Sequence, residues 1–348
     1  MCDPRDFASR NTERLSNTSE DIARAAEILR NGGLVAFPTE TVYGLGANAL
    51  NADAVARIFT AKERPSWDPV IVHVSDRAML YRVAIVPPEA ERLIAAFWPG
   101  PLTLLLPRTP QVPDSVTAGR ALVGVRMPAH PIALALIEAA GLPIAAPSAN
   151  RFGRTSPTTA QHVLDDLDHR IDAILDAGPT TVGVESTVLD PAAGLIYRPG
   201  AITAAMLEPV IGSIAGPVTL YQPQSAAEPQ SLPSPGTGIR HYAPRATLIL
   251  VPSESELNNR LTHLLAEKEK PGVMLPQNWT IHHRHVEVFH WNSFDDNAAL
   301  AQTLFAGLRE LDRRNVTVIL CPLPAHEGLG LAIRDRLEKA AKSKPESK

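Results

Sequence analysis

Two α/β domains joined by a proline-rich tether are predicted for this chain of 348 residues. Three observations carry the prediction. Over 18–211, short apolar runs of strand length are interleaved with stretches of helical spacing, and turn signals lie between nearly all of them. Residues 213–240 then lose large apolar side chains and gain Pro217, Pro223, Pro229, Pro233 and Pro235 with Ser, Gln and Gly. From 245 onward, strand and helix patterns alternate more regularly.

The first domain opens at Thr18-Ser19-Glu20-Asp21, a hydroxyl cap followed by acids, with Ile22, Ala25, Ala26 and Leu29 at helical spacing and Asn31-Gly32-Gly33 as the stop. A strand follows over 34–37. Asp53 is expected to cap the next helix, which presents Val55, Ile58 and Phe59 inward and ends at Pro65. Further strands are expected at 70–74, 102–106, 123–126, 143–146, 171–176, 186–190 and 195–197, and helices at 90–97, 131–140 and 202–211. Ser156-Pro157 is read as a helix start, a cap with proline at the first helical position. The order is not a clean βαβ alternation, which predicts a twisted mixed sheet. The second domain is expected to carry strands at 247–251, 272–275, 286–289 and 316–321 and helices at 254–268, 298–312 and 331–342, a small, parallel, Rossmann-like α/β unit. The domain plan is thus a flexible arm over 1–17, a catalytic domain over 18–211, a linker or lid over 212–244, the α/β domain over 245–342 and a tail over 343–348.

Composition narrows the function. A 45% hydrophobic content allows a sizeable core, and a net charge of -4 argues against non-specific coating of nucleic acid or anionic membrane. Two cysteines, Cys2 and Cys321, make no disulfide framework and suit a reducing compartment. The first residues, Met-Cys-Asp-Pro-Arg-Asp-Phe, lack the apolar core of a signal peptide. The richest apolar stretch, 95–106, is broken by Pro99, Gly100 and Pro101, so a cytoplasmic protein is expected.

Six segments bear chemistry. The strand end Phe37-Pro38-Thr39-Glu40-Thr41-Val42-Tyr43-Gly44-Leu45-Gly46 reads as a hydroxyl-rich turn closed by two glycines, suited to a small polar substrate. Lys62 and Arg64 pair a compact cation with a planar fork, which suits a polyphosphate, although cations at a helix C-terminus also complement its dipole. Arg126 ends a strand before Met127-Pro128. Pro147-Ser148-Ala149-Asn150 leads through Gly153-Arg154 to the hydroxyls of Ser156, Thr158 and Thr159. Glu185-Ser186-Thr187-Val188 and Tyr197-Arg198-Pro199-Gly200 place hydroxyls and an Arg at strand ends. The tether closes with Arg240-His241-Tyr242-Ala243-Pro244, a trio of contact residues that a linker has no packing need for. There is no Walker loop and no dinucleotide fingerprint, and the pair His283 and His285 reads as solvated rather than metal-ligating.

Taken together, Pro-Thr-Glu-Thr-Val-Tyr-Gly-Leu-Gly, Lys-x-Arg-Pro before Ile-Val-His-Val, Trp-Pro-Gly-Pro-Leu-Thr, Arg-Met-Pro, Pro-Ser-Ala-Asn, Glu-Ser-Thr-Val, Arg-Pro-Gly and the final His-Tyr-Ala-Pro resemble the YrdC-type threonylcarbamoyl-AMP synthase family in its long form with an appended C-terminal domain. The resemblance is dense over 18–244. It implies a nucleotidyltransferase that joins L-threonine, bicarbonate and ATP into threonylcarbamoyl-AMP and pyrophosphate. That product would feed tRNA threonylcarbamoyl-transfer machinery, and the resemblance implies a transient tRNA contact. By the same resemblance Lys62 and Arg64 hold the triphosphate together with Mg2+. Arg126 takes the threonine carboxylate, and Thr41, His73, Ser148 and Ser186 line the threonine side. Asp68, Asn150, Ser156 and Arg198 contact ATP, and His241 and Tyr242 close over the nucleotide; no metal site made of protein ligands is implied. Asp68 stands where the family commonly has Asn, and Thr237-Gly238-Ile239 departs from the usual tether. Two other classes were weighed: a non-catalytic RNA-binding protein on the same fold, and a carbamoyl-transfer enzyme of the hydrogenase-maturation kind, whose acylphosphatase-like and zinc-finger segments are missing from the sequence.

Overall fold

The computed structural model describes residues 11–215, 217–221, 234 and 242–342. The described chain forms two compact units. The first takes residues up to Phe152, then Pro157–Thr181 and the chain from Glu185 into the tether; the second takes Gly153–Ser156, Val182–Val184 and residues from 242 onward.

In chain order the first unit contains β1 (Glu13–Leu15), α1 (Ser19–Arg30), β2 (Val35–Phe37), β3 (Gly44–Asn48), α2 (Ala52–Lys62), β4 (Ile71–His73), α3 (Arg77–Val83), α4 (Pro88–Phe97), β5 (Leu102–Pro107), α5 (Asp114–Thr117), β6 (Leu122–Arg126), α6 (Pro131–Ala140), β7 (Ile144–Ala145), α7 (Ala160–Leu167), β8 (Ala173–Leu175), β9 (Thr187–Asp190), β10 (Leu195–Arg198), α8 (Ala204–Ala215) and β11 (Thr219–Leu220). The strands join in the order β1-β8-β2-β3-β7-β4-β6-β5-β9-β10-β11. The expected mixed sheet is present: β4 runs parallel to β6, while β7 opposes both β3 and β4. Helix α1 forms where its cap and spacing predict. Thr18 accepts from the Asp21 amide, and Ala25, Ala26, Ile28 and Leu29 are buried. Burying Ile28 and Leu29 stabilises the unit by about 1.5–3 kcal/mol each, and Leu29→Asp would undo that face.

Several local expectations need correction. The arm over 1–17 contains β1, which pairs in parallel with β8 through Glu13, Arg14 and Leu15; one buried Leu15 among polar neighbours leaves too little apolar pattern to announce a strand. Asn51, not Asp53, caps α2, accepting from the amides of Asp53 and Ala54. The same helix stops at Lys62, before Pro65, because Glu63 turns left-handed at φ 55°. The hydroxyl-rich turn after β2 is present, but the two glycines read as closing it, Gly44 and Gly46, lie in strand β3, paired with β2 and β7. Gly46 is needed for close approach, since a Cβ there would lie 2.8 Å from Phe37 and 2.9 Å from Ile144. Ser156 does not cap a helix. The Pro157 and Thr158 carbonyls accept from Tyr43 (2.9 Å) and Thr180 (3.0 Å), so they are taken by partners outside any helix. Helix α7 therefore begins at Ala160, with Thr159 accepting from the His162 amide. Within the stretch read as a coreless linker, β11 pairs with β10, and Ser234 and Tyr242 are buried.

The second unit contains β12 (Thr247–Val251), α9 (Glu254–Ala266), β13 (Pro271–Leu275), β14 (Glu287–His290), α10 (Asn297–Arg313), β15 (Val318–Pro322) and α11 (Gly328–Ala341). Its four strands are all parallel, in the order β12-β15-β13-β14. The unit is the predicted small α/β domain, with a core that includes Val251, Leu257, Val273 and Leu320. Cys321 is a buried strand thiol, and burial pushes its pKa up. Among the described residues no helix is long and apolar enough to cross a membrane.

Candidate functional site

The first unit gathers most of the sequence-predicted residues at strand ends of one sheet. After β2 the chain makes a hydroxyl-lined loop. Thr39 Oγ1 donates to the Val42 carbonyl at 2.7 Å and lies 2.8 Å from Thr41 Oγ1. Because the only Thr39 hydroxyl proton goes to that carbonyl, Thr41 is the donor in the second bond. Thr41 Oγ1 in turn accepts from Arg126 Nη1 at 2.9 Å. The guanidinium, two hydroxyls and a carbonyl thus form one polarised chain.

Arg126 arrives at the end of β6, in register with His73 on parallel β4. Its Nε donates to the Gly100 carbonyl at 3.1 Å, and its Nη2 lies 2.6 Å from Glu40 Oε1. Both partners of that ion pair are nearly excluded from solvent, with side-chain exposures of 4% and 10%. His73 is buried against Phe37 in an edge-to-face contact of 6.2 Å. Burial first, then the Arg126 charge, pushes its pKa down to about 3, so it stands beside Arg126 as a neutral imidazole.

Lys62 and Arg64 leave the end of α2 with their side chains turned inward. Glu63 between them points outward, to Arg151 and Arg170. Lys62 Nζ donates to the carbonyl of Ser148 at 2.5 Å and to that of Asn150, and the Lys62 carbonyl accepts from the Phe152 amide at 2.8 Å. Burial, with Arg64 adding to it, drives the Lys62 pKa well down. Ser148 is half-buried and is bridged to Gly44 at the start of β3, while Asn150 Nδ2 donates to the Arg151 carbonyl at 2.8 Å. Arg64 donates to the carbonyls of Asp68 (3.3 Å) and Pro69 (2.7 Å) and forms an ion pair with Asp68 Oδ1 at 3.0 Å. Burial raises the Asp68 pKa, opposed by the charges of Arg64, Lys62 and Arg198.

Arg198 closes the same region from β10. Its Nε donates to the Ser186 carbonyl at 3.0 Å and its Nη2 to Ser186 Oγ at 3.1 Å. Ser186 Oγ also lies 2.8 Å from Thr103 Oγ1 on β5. Gly200 lets these strands approach, since a Cβ there would stand 2.4 Å from the Thr187 nitrogen.

The structure therefore gathers Thr41, His73 and Arg126 in one cluster, Lys62, Arg64, Asp68, Ser148 and Asn150 in a second, and Ser186 with Arg198 in a third. Glu40, Thr39 and Thr103 were missed as functional residues. Glu40 sits inside a motif singled out for its hydroxyls, and its partner lies far along the chain; a lone threonine in the apolar run 102–106 was the available signal for Thr103. Ser156 and Tyr242 belong to the second unit. There Ser156 is fully buried, and the Thr155 carbonyl accepts from Arg309 at 2.5 Å. Tyr242 is buried in a left-handed conformation (φ 66°), stacked on Phe305 at 5.8 Å with the Arg336 guanidinium 5.3 Å from its ring centre. His241, expected beside it, lies outside the described residues.

The chain is similar to known proteins over most of its length. Residues 27–200 match the family of Sua5, YciO and YrdC, described as telomere recombination. Residues 202–342 match the C-terminal domain of threonylcarbamoyl-AMP synthase. The threonylcarbamoyl-AMP synthase of Bacillus subtilis is 44% identical over 339 residues, covering 95% of each chain. That of Pyrococcus abyssi is 44% identical over 321 residues, 91% of this chain and 93% of its own. A crystal structure of P. abyssi Sua5 complexed with L-threonine superposes with a TM-score of 0.87 at 42% identity, covering 95% of this chain and 97% of that one.

Proposed function

The chain belongs to the threonylcarbamoyl-AMP synthase family, and from that premise we propose how its own residues perform the synthesis. The reaction is a nucleotidyl transfer that yields threonylcarbamoyl-AMP. The free amine of L-threonine and bicarbonate form a carbamate, a bicarbonate C–O bond breaking as water leaves; the carbamate oxygen attacks the α-phosphorus of ATP, and pyrophosphate departs with the electron pair of the broken P–O bond. Such a displacement needs positioning and charge neutralisation rather than a covalent nucleophile.

Arg126 takes the amino-acid carboxylate and Thr41 orients it, with His73, Ser148 and Ser186 lining the same side. Lys62 and Arg64 receive the triphosphate, and Asp68, Asn150 and Arg198 contact the nucleotide. Mg2+ enters as part of the ATP complex. Among the described residues no group of three His, Cys, Asp or Glu side chains is poised to hold a metal, and Asp68 offers one carboxylate beside the cations, a donor set that suits an ion carried in on phosphate oxygens. The product then passes, in the cytoplasm, to a machinery that transfers threonylcarbamoyl groups to tRNA.

One observation carries the assignment of the phosphate site: Lys62 and Arg64 turn inward together from the end of one helix, Lys62 onto the Ser148 and Asn150 carbonyls and Arg64 onto the buried carboxylate of Asp68 at 3.0 Å. Two basic side chains brought to one interior region suit a polyanion. The RNA-binding alternative is not favoured, given a net charge of -4 and relatives named as synthases. The test is pyrophosphate release from ATP, which is expected to require both L-threonine and bicarbonate. Release that is indifferent to threonine would reject the assignment.

A further inference from the structure

Arg126 is more fully engaged than a waiting carboxylate receptor needs to be. Its three nitrogens already meet the Gly100 carbonyl, Thr41 Oγ1 and Glu40 Oε1. A buried guanidinium without a counter-ion would be strongly disfavoured, and Glu40 supplies that counter-ion at 2.6 Å. The Glu40 backbone is fixed as well: its carbonyl accepts from the Thr181 amide at 3.2 Å. Both carboxylate oxygens and Arg126 Nη2 are buried without a hydrogen bond: the 2.6 Å contact of Oε1 is an ion pair only, and Oε2 faces no donor, in a residue only 7% exposed. An ionised carboxylate has capacity for several donors, so a vacant buried oxygen is costly unless a ligand donor completes it.

Charge balance says which donor. Arg126 and Glu40 together are neutral, and the adjacent His73 is held uncharged by its burial. A ligand carrying one carboxylate and no cation would leave a net negative charge in this interior. A zwitterion would leave none, with its carboxylate on the free N–H groups of Arg126 and its ammonium on Glu40 Oε2. We propose that Glu40 is a specificity-determining residue that recognises the α-ammonium of the amino acid whose carboxylate Arg126 binds, so that the site selects amino acids over the corresponding hydroxy acids. The inference rests on Arg126 being the carboxylate receptor, as assigned above. It extends to selection among ligands the logic by which a site built around a buried polar group rejects analogues that leave that group unpaired.

The experiment is calorimetric titration of the full chain with L-threonine and with 2,3-dihydroxybutanoate of the same configuration, on wild type, Glu40→Gln, Glu40→Asp and Arg126→Gln. Wild type is expected to prefer threonine by at least about 100-fold. In Glu40→Gln that ratio is expected to collapse to below about 10-fold, with the dihydroxy acid binding more tightly than it does to wild type, because Arg126 is no longer neutralised. Glu40→Asp is expected to restore part of the preference. If Glu40 merely held Arg126 in place, the substitution would weaken both ligands and leave the ratio unchanged, and that result overturns the proposal. So does a wild-type chain that binds the two ligands equally, a reading that needs no variant to fold. Failure of the underlying assignment looks different: threonine affinity would be untouched by Arg126→Gln.

Discussion

His73 offers a quantitative test of how the amino-acid side of the site is built. Burial and the neighbouring Arg126 lower its pKa from 6.5 to about 3. Between those values the unfolded chain binds a proton that the folded chain refuses, so stability is fully present above pH 6.5 and is lost as the pH falls toward 3. With 1.36 kcal/mol per pKa unit, the whole shift corresponds to about 5 kcal/mol, of which about 2 kcal/mol is lost between pH 7 and pH 5. His73→Gln removes this titration. Its own packing loss against Phe37 is the same at both pH values and cancels in the comparison. The assay is urea unfolding of wild type and variant at pH 7 and pH 5. The wild-type midpoint is expected to fall by about 1 M more than that of the variant, taking a urea slope near 2 kcal/mol per molar. Parallel losses in the two proteins would show that His73 is not held neutral in the fold, and the charge balance around Arg126 would have to be redrawn.

Other substitutions probe the remaining clusters. Lys62→Met keeps the length of the side chain but orphans the Ser148 and Asn150 carbonyls. Pyrophosphate release is expected to drop by more than about 100-fold, and the melting temperature by about 5 °C; an unchanged rate would remove Lys62 from the phosphate site. Ser186→Ala deletes the oxygen that accepts from Arg198 at 3.1 Å and faces Thr103 at 2.8 Å. Steady-state kinetics should show KM for a substrate rising about 10-fold, with the melting temperature falling by about 5 °C because buried partners are left unpaired, and an unaltered KM speaks against a binding role. Gly200→Ala forces a Cβ to 2.4 Å from the Thr187 nitrogen and 2.8 Å from the Glu185 carbonyl oxygen. It is expected to destabilise by about 1–3 kcal/mol or more, and a melting curve superposable on that of wild type would contradict the packing described.

Much of the architecture was legible because local signals and tertiary need coincide in it. Thr18 caps α1, Gly141 ends α6 and the apolar run at 247–251 is β12. The failures share a cause, since each depends on a partner distant in sequence. Gly46 looks like the close of a turn until Phe37 and Ile144 occupy the space its side chain would need. Ser156 looks like a cap until Tyr43 and Thr180 claim the next two carbonyls. The site followed the same rule. Its cations and hydroxyls stood out by type and by their place at strand ends. Glu40 did not, because only the fold reveals that it faces Arg126.

The central claim is that one chain fuses threonine, bicarbonate and the adenylyl group of ATP. Incubating it with L-threonine, Mg·ATP and 13C-labelled bicarbonate, then weighing the nucleotide product by mass spectrometry, tests that claim most directly. A threonylcarbamoyl-AMP one mass unit heavier than its unlabelled counterpart, formed in step with pyrophosphate, is the predicted result. AMP or ADP as the only nucleotide product, with no label retained on a threonine adduct, would contradict it.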